Sequence, residues 1–566
     1  MKNLNEAIRK YCLKNAVDYN GKCSPKAVIP KIIYEFPEEK RNIKKIIEKV
    51  ERTCDRINSM SIKEQKKELE FLAPEILVEK KVKEKYKLPD LTNAVNGRVI
   101  TAFPPNPSKH LHIGHAKTIV INYELAKKYD GKFILRIEDS NPKEVKKEYY
   151  ESIINDVKWL APPDEIIYIS DNFDYYHGLM KKLILEKNAY VCTCDKETIS
   201  ENRWNKRECN CRRNSIKKNM ELWEKMFSHF KEGDAVLRLK GDMGSKNTVM
   251  RDPTIARIIN KKHPRTRKNH KVYPTYDFPT AVEDAKITHR YRSKEFELRK
   301  ELQELIRYYL NLKQPKIYEI ARFNINGSTT KGREIRELIK NKIVNGWDDP
   351  RLVTLKALRK RGILPEAIKE FVIESGISKT EGEIDLNVLL NTNRKIIDKK
   401  ANRYFFVPNP IKLFISKLKP QKIMAKLHPE KNEKRILNIN DEVLISKNDL
   451  KYLKEGEEVR LKDAFNVRIL NIMDDAINST LSENQTLEHS KKLQKIQWVP
   501  SNSNIKIRVI EPHLLFVNGK LNKNSLKIVE GVGEININSV KINEIVQFER
   551  YGFCKKENKN TFIKCC

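Results

Sequence analysis

Three prolines, Pro104, Pro105 and Pro107, stand between a short apolar run and a longer one of a different period. Proline locks φ and removes a backbone donor, so the stretch AFPPNPSKHLHIGHAKTIV cannot be continuous helix or continuous strand. Arg98 to Phe103 has the composition of a strand. Gly114 then opens a helix whose apolar face is Ile119, Val120, Tyr123 and Leu125, and which stops at Asp130-Gly131. Strand, rigid loop and helix in this order place free N–H groups and partial positive charge at the helix start, which suits a nucleotide phosphate. His112 and His115 fall at that start and can donate hydrogen bonds to phosphoryl oxygens as charge develops. Gly114 has no side chain, which leaves room for an adenine or ribose against the backbone. Taken alone, the tetrapeptide His112-Ile113-Gly114-His115 also fits two unrelated surface histidines.

The chain has 566 residues, too many for one core and enough for about three to five domains. It carries 112 Lys+Arg against 76 Asp+Glu, a net charge of +36. An excess of this size points to a polyanionic partner, nucleic acid first. A generally lysine-rich and asparagine-rich composition accounts for part of it. No window is apolar enough for a membrane span, and the start MKNLNEAIRKYCLKNAV lacks a signal core, so no membrane association and a cytoplasmic location are expected. In that compartment the 10 cysteines are expected to be reduced.

The spacing predicts helices over residues 1 to about 88. Ile43, Ile46, Ile47, Val50, Cys54 and Ile57 follow a helical period, and Ser61-Ile62-Lys63-Glu64 has the form of a capping box. The charged run Glu79 to Lys87 is the expected linker. From Arg98 to about Phe323, strands alternate with helices as in a parallel nucleotide-binding sheet, for example Phe133 to Ile137 followed by a helix over Glu144 to Leu160. The stretch 192–270 interrupts that order. Helices return over 334–400, including Pro365 to Glu374 with Gly376 as its cap. After Asn402, runs such as Lys412–Ile415, Glu458–Leu461 and Val540–Phe548 suggest antiparallel β-barrels. No internal repeat is visible. The expected division is 1–92 helical extension, 93–333 Rossmann-like catalytic domain with 192–270 inserted, 334–401 helical domain and 402–566 barrels.

Taken together these phrases resemble the class I glutamyl-tRNA synthetases of the archaeal type, close kin of the glutaminyl-tRNA synthetases. KNAVDYNGKCSPKAVIPKI resembles the family's N-terminal extension, FPPNPSKHLHIGHAK its ATP phrase, and VYPTYDFPTAVEDAKITHRYRSKEF its amino-acid pocket. NGWDDPRLVTLKALRKRGI is similar to the entry of the helical domain; EGEEVRLKDAFNVRI, KIQWVP and VQFERYGFC resemble the anticodon-binding barrels. The resemblance implies a multidomain fold and a glutamate–tRNA ligase acting on ATP with Mg2+, on glutamate and on tRNA(Glu), as a monomer. It implies that ATP lies against Pro104, Pro105 and Asn106 through His112, Gly114 and His115. It also implies that Thr330, Lys331 and Arg333 act from a mobile loop, with Lys331 at the phosphates. Glu138 corresponds to the acid for the substrate ammonium, Tyr276 and Thr280 to pocket contacts, and Arg292 to the partner of the distal carboxylate. Two departures stand out: Ala102 replaces an arginine that contacts substrate in the family, and Lys109 replaces a glycine. A glutaminyl-tRNA synthetase and a diverged RNA-binding paralogue are the competing readings. The insertion 192–270 is expected to hold the tRNA acceptor end.

Cys192-Thr-Cys194 and Cys209-Asn-Cys211 form two thiol pairs across a short loop, a ligand set for a tetrahedral structural zinc. Some family members carry a similar Cys-x-Cys insert here. Four reduced thiols in a strand-rich loop is the other reading. Cys12, Cys23, Cys54 and Cys554 show no partner spacing.

Overall fold

The computed structural model describes residues 4–19, 21–73, 88–267, 270–380 and 382–566, in two compact units, Met1–Lys87 and Leu88–Cys566. The expected linker, Glu79 to Lys87, lies outside the described residues. Among the described residues the first unit contains four α-helices, α1 (Leu4–Asp18), α2 (Pro25–Glu35), α3 (Ile43–Asn58) and α4 (Ile62–Leu72). On α3 the periodic residues Ile46, Val50, Cys54 and Ile57 are buried, whereas Ile43 in the first turn is exposed. The capping box forms as its sequence predicts. Ser61 Oγ accepts from the Glu64 N–H, and the Glu64 carboxylate accepts from the Ser61 N–H at 2.8 Å.

The second unit opens on three parallel strands, β1 (Ile100–Phe103), β2 (Lys132–Ile137) and β3 (Glu165–Tyr168), joined by α5 (Ile113–Lys128) and α6 (Lys147–Leu160). Beside β1 a second parallel pair, His289–Ser293 with Lys316–Ile320, is tied in by the Thr288 N–H donating to Ile100 O at 2.9 Å. The predicted face of α5 is inside, with Ile119, Val120 and Leu125 fully buried and Tyr123 packed at the margin. Gly131 is required after it: a Cβ there would sit 2.1 Å from Val99 O. The helix expected from Glu144 begins at Lys147 instead. Lys146 stays extended because its N–H donates to Pro107 O at 3.0 Å, across to the proline loop.

The 192–270 stretch supplies the middle strands, Val236–Leu239 and Thr254–Ile258, of an antiparallel sheet that starts before it at Ala189–Cys192 and ends beyond it at Val272–Pro274, and it carries helices Lys196–Trp204 and Ile216–Phe227. Its Trp223 and Met226 pack in a core shared with Tyr176 and Phe278 of the flanking helices. Helices Gly332–Lys340, Leu355–Arg361, Pro365–Ser375 and Leu386–Asp398 follow, and Gly376 adopts φ +74 at the third of these. Beyond residue 402 lie two seven-stranded sheets. Each joins its strands by four antiparallel and two parallel pairings in the same order; the five central strands follow one chain order in both, but the two edge strands precede them in one sheet and follow them in the other. The run Val540–Phe548 becomes strand only from Ile545, because Asn543 turns the chain at φ +70. Among the described residues no helix is long and apolar enough to cross a membrane.

Candidate active site

The proline loop brings the chain from the end of β1 to His112, the N-cap of α5, held extended at φ −136° and ψ 173°. The His112 ring folds back over the helix start, where its Nδ1 accepts from the Gly114 N–H at 3.1 Å. His115 Nδ1 in turn accepts from the His112 N–H at 3.1 Å. With both Nδ1 atoms accepting, these partners assign the hydrogen of each neutral ring to Nε2. The ring centroids are 3.8 Å apart. Burial above all, with a smaller push from the Lys109 and Arg322 cations, lowers the pKa of His112 to about 3; burial likewise holds His115 well below the ordinary histidine value. The two imidazoles are therefore uncharged donors at neutral pH. Gly114 serves them directly, since a Cβ there would sit 2.9 Å from His112 Cε1.

These rings line a cleft of about 300 Å³ together with Pro104, Pro105, Asn106, Lys109 and Lys117. Glu138, Tyr276, Arg290 and Arg292 line it as well. Glu138 follows β2, and both of its carboxylate oxygens are buried without a hydrogen-bond partner among the described residues. Burial raises its pKa to about 7, against the pull of Arg136. Its neighbour Asp139 fixes the backbone. One Asp139 oxygen accepts from the Ser170 N–H at 2.8 Å, and the other accepts from Ser170 Oγ at 2.7 Å and the Tyr150 hydroxyl at 2.9 Å.

Arg290 and Arg292 are two apart on one strand, so their side chains leave the same face. Arg292 Nη1 donates to Gln303 at 2.8 Å, and Nη2 lies 3.3 Å from Glu319. Arg290 Nη1 donates to both oxygens of Asp284, at 3.0 and 2.8 Å, and Arg136 Nη1 donates to the same carboxylate at 2.8 Å. The Nε of each of the three arginines is buried and without a protein partner among the described residues. Tyr276 packs on Phe296 at 5.4 Å. Thr280 sits one turn behind it, with its N–H donating to Tyr276 O at 3.3 Å and its hydroxyl buried without a partner among the described residues, away from the cleft lining.

The structure does not bring Lys331 to the histidines. Its ammonium pairs with Glu334 at 2.9 Å, and the side chain is 77% exposed. Thr330 and Lys331 line an adjacent hollow of about 620 Å³, and Arg333 pairs outward with Glu337. Sequence reasoning also missed Lys117, Arg322 and Phe296 in the cleft, Asp139 behind Glu138, and Asp284 beneath the arginines. The acidic pairs Glu138-Asp139 and Glu283-Asp284 were the available cue for the last two. Nothing local marks Lys117, whose Nζ donates to Ala321 O at 3.0 Å, far away in sequence.

The four insertion cysteines come together with every pair of sulfurs within 4.8 Å. Cys192 and Cys209 are 3.8 Å apart, Cys194 and Cys211 3.9 Å. Arg238 Nη1 lies 3.9 Å from the first sulfur and 3.7 Å from the third, a cation placed against two thiols.

Residues 98–401 match the family model described as tRNA synthetases class I (E and Q), catalytic domain. Residues 401–487 and 495–557 match two models of the anticodon-binding domain of the same class. Over 561 residues the chain is 38% identical to a glutamate–tRNA ligase of Pyrococcus furiosus, covering 96% of each chain. It is also 38% identical to that of Nitrosopumilus maritimus, over 98% of each chain, and to that of Korarchaeum cryptofilum, over 100% of this chain and 99% of the other. The cleft that its sequence predicts and the matches along its whole length lead to one conclusion: the chain belongs to the archaeal-type glutamyl-tRNA synthetases of class I.

Proposed function

We propose that ATP and glutamate react in the cleft between His112, His115 and Glu138, and that this chain then joins the activated glutamate to tRNA. The family's activity is glutamate–tRNA ligation, with ATP entering as its Mg2+ complex. The observation that carries the assignment of the cleft is its polarity. Neutral imidazole donors stand at a helix N-terminus, and an unpartnered buried carboxylate and two arginines line the same cleft. Glu138 takes the substrate ammonium. Arg292 and Arg290 face the distal carboxylate, which Ala102 cannot serve; Tyr276 forms the wall beside it, and Thr280 supports that wall from behind. The α-carboxylate attacks the α-phosphorus of ATP, the bond to the β-phosphate oxygen breaks, and pyrophosphate leaves. His112 and His115 donate Nε2–H to the oxygens that gain charge. Pro104, Pro105, Asn106 and Gly114 shape the nucleotide seat. Lys331, with Thr330 and Arg333, closes from the neighbouring loop after leaving Glu334. A terminal ribose hydroxyl of tRNA then attacks the acyl carbon and AMP departs. ATP–pyrophosphate exchange with glutamate and with glutamine, each with and without tRNA, tests this reading. Exchange with glutamine alone would overturn it.

The pH dependence follows from Glu138. Only its anion pairs with an ammonium, and burial raises its pKa to about 7 in the empty cleft. The KM for glutamate should therefore fall as pH rises through about 7 and level off above it. Glu138→Gln should remove that inflection and raise KM about tenfold or more. A wild-type KM that stays flat across this range would reject the role.

For tRNA, we assign anticodon reading to the barrels at 402–566 and the acceptor end to the insertion at 192–270. The +36 charge predicts an affinity that falls steeply with salt. Cys192, Cys194, Cys209 and Cys211 suit a structural zinc: a tetrahedron with Zn–S near 2.3 Å has sulfurs about 3.8 Å apart. Zinc would brace the insertion and take no part in the chemistry. Cys209→Ser with Cys211→Ser should lose one equivalent of zinc per chain by elemental analysis, and no loss would reject the site.

A further inference from the structure

Cys12 lies on α1, Cys23 in the turn before α2 and Cys54 on α3, with nothing in their spacing to link them. The fold of the first unit nevertheless brings their sulfurs together. Cys12 Sγ is 3.6 Å from Cys54 Sγ, Cys54 Sγ is 2.7 Å from Cys23 Sγ, and every pair lies within 4.8 Å. All are buried, at 0%, 7% and 0% exposure, among Leu13, Val28, Ile32 and Val50.

Isolated buried cysteines behave as small apolar residues, and three of them have no reason to aim their sulfurs at one point. Here the convergent geometry is also held in place. The Cys23 N–H donates to Asn58 Oδ1 at 2.6 Å, and Asn58 Nδ2 donates back to Cys23 O at 3.2 Å. The Ser24 N–H donates to Oδ1 of the buried Asn15 at 2.8 Å. Two amides thus fix the turn that delivers the middle sulfur, as supporting hydrogen bonds do around metal ligands.

The donor set selects the ligand. Three thiols without a carboxylate or imidazole among the grouped residues exclude hard cations such as Mg2+ or Ca2+ and favour soft ones. We propose that Cys12, Cys23 and Cys54 bind one soft d10 cation, Zn2+ or Cu+, as a three-thiolate site that ties α1, the turn before α2 and α3 together, with the Cys23 and Cys54 sulfurs, 2.7 Å apart without the ion, moving to about 3.8 Å around it. Binding releases the thiol protons and changes no oxidation state. This site is separate from the insertion cysteines and from the adenylation cleft.

The test uses the full chain, reduced, stripped with a chelator and reloaded in separate arms with Zn2+ or with Cu+. Wild type should hold one equivalent more than a Cys12→Ser/Cys54→Ser variant in at least one arm, and the arm identifies the ion. The insertion cysteines are intact in both proteins, so their metal cancels. Equal metal content in both arms overturns the proposal. A second measurement needs no variant. In moderate urea, metal should slow alkylation of Cys12, Cys23 and Cys54 in wild type by about tenfold or more, since a ligand of the folded form suppresses opening. Unchanged rates with either ion, or a Cys23–Cys54 disulfide in protein kept free of oxygen, would also overturn it.

Discussion

His115→Ala should lower the rate of glutamyl-adenylate formation by about a hundredfold or more, with the KM for ATP changed far less. The His115 ring is uncharged in the fold, so its contribution comes from one directed N–H rather than from a cation. Its Nδ1 is engaged with the His112 N–H, which sets the tautomer and leaves Nε2–H as the donor. A donor of this kind is most effective when the phosphoryl oxygens gain charge, which is why kcat and not KM carries the loss. Alanine also leaves the His112 N–H without its acceptor, so a structural control is needed. His115→Asn keeps an acceptor at a similar reach and separates the two effects. Pyrophosphate exchange, thermal unfolding and tRNA binding on both variants check this. An alanine variant with the wild-type exchange rate would remove His115 from the reaction.

Asp284→Asn should destabilise the second unit by about 3 kcal/mol or more and raise the KM for glutamate. Asp284 is fully buried and holds Arg136 and Arg290 at once. Burial by itself would push its pKa up, but the Arg290 and Arg136 guanidiniums hold it below the usual aspartate value. A carboxyl with a depressed folded pKa contributes stability above its unfolded pKa and loses it as pH falls through the folded one. The wild type should therefore lose stability on acidification, and the variant should show less of that slope. Removing the charge strands two buried cations, and Arg290 is then free to leave the face it shares with Arg292. Denaturant unfolding across the acid range and glutamate kinetics measure both effects. An unfolding midpoint and KM equal to those of wild type would show that Asp284 does not anchor the arginines.

Much of the cleft was legible because its parts are contiguous. The prolines, His112, Gly114 and His115 fall within a dozen residues, and local rules of φ restriction and helix capping act over that range. The capping box at Ser61 and the Gly376 cap were legible for the same reason. The helix expected at Glu144 starts late because a contact with Pro107, well upstream, holds Lys146 extended. Long-range hydrogen bonds leave no local trace.

The sequence by itself determined the alternation of elements and the proline loop before His112, because periodicity and turn chemistry are properties of neighbouring residues, whereas Glu138 and Arg292 were named only through the family resemblance. The tertiary structure decided the rest. It paired Lys331 with Glu334 outside the cleft, set Asp284 between two arginines, and built two seven-stranded sheets with the same pattern of strand pairings from stretches with no visible repeat. It also gathered Cys12, Cys23 and Cys54, which α1, α2 and α3 carry to one point only when their apolar faces pack. Such meetings are made by burial between distant segments, and burial depends on the packed whole, not on order along the chain.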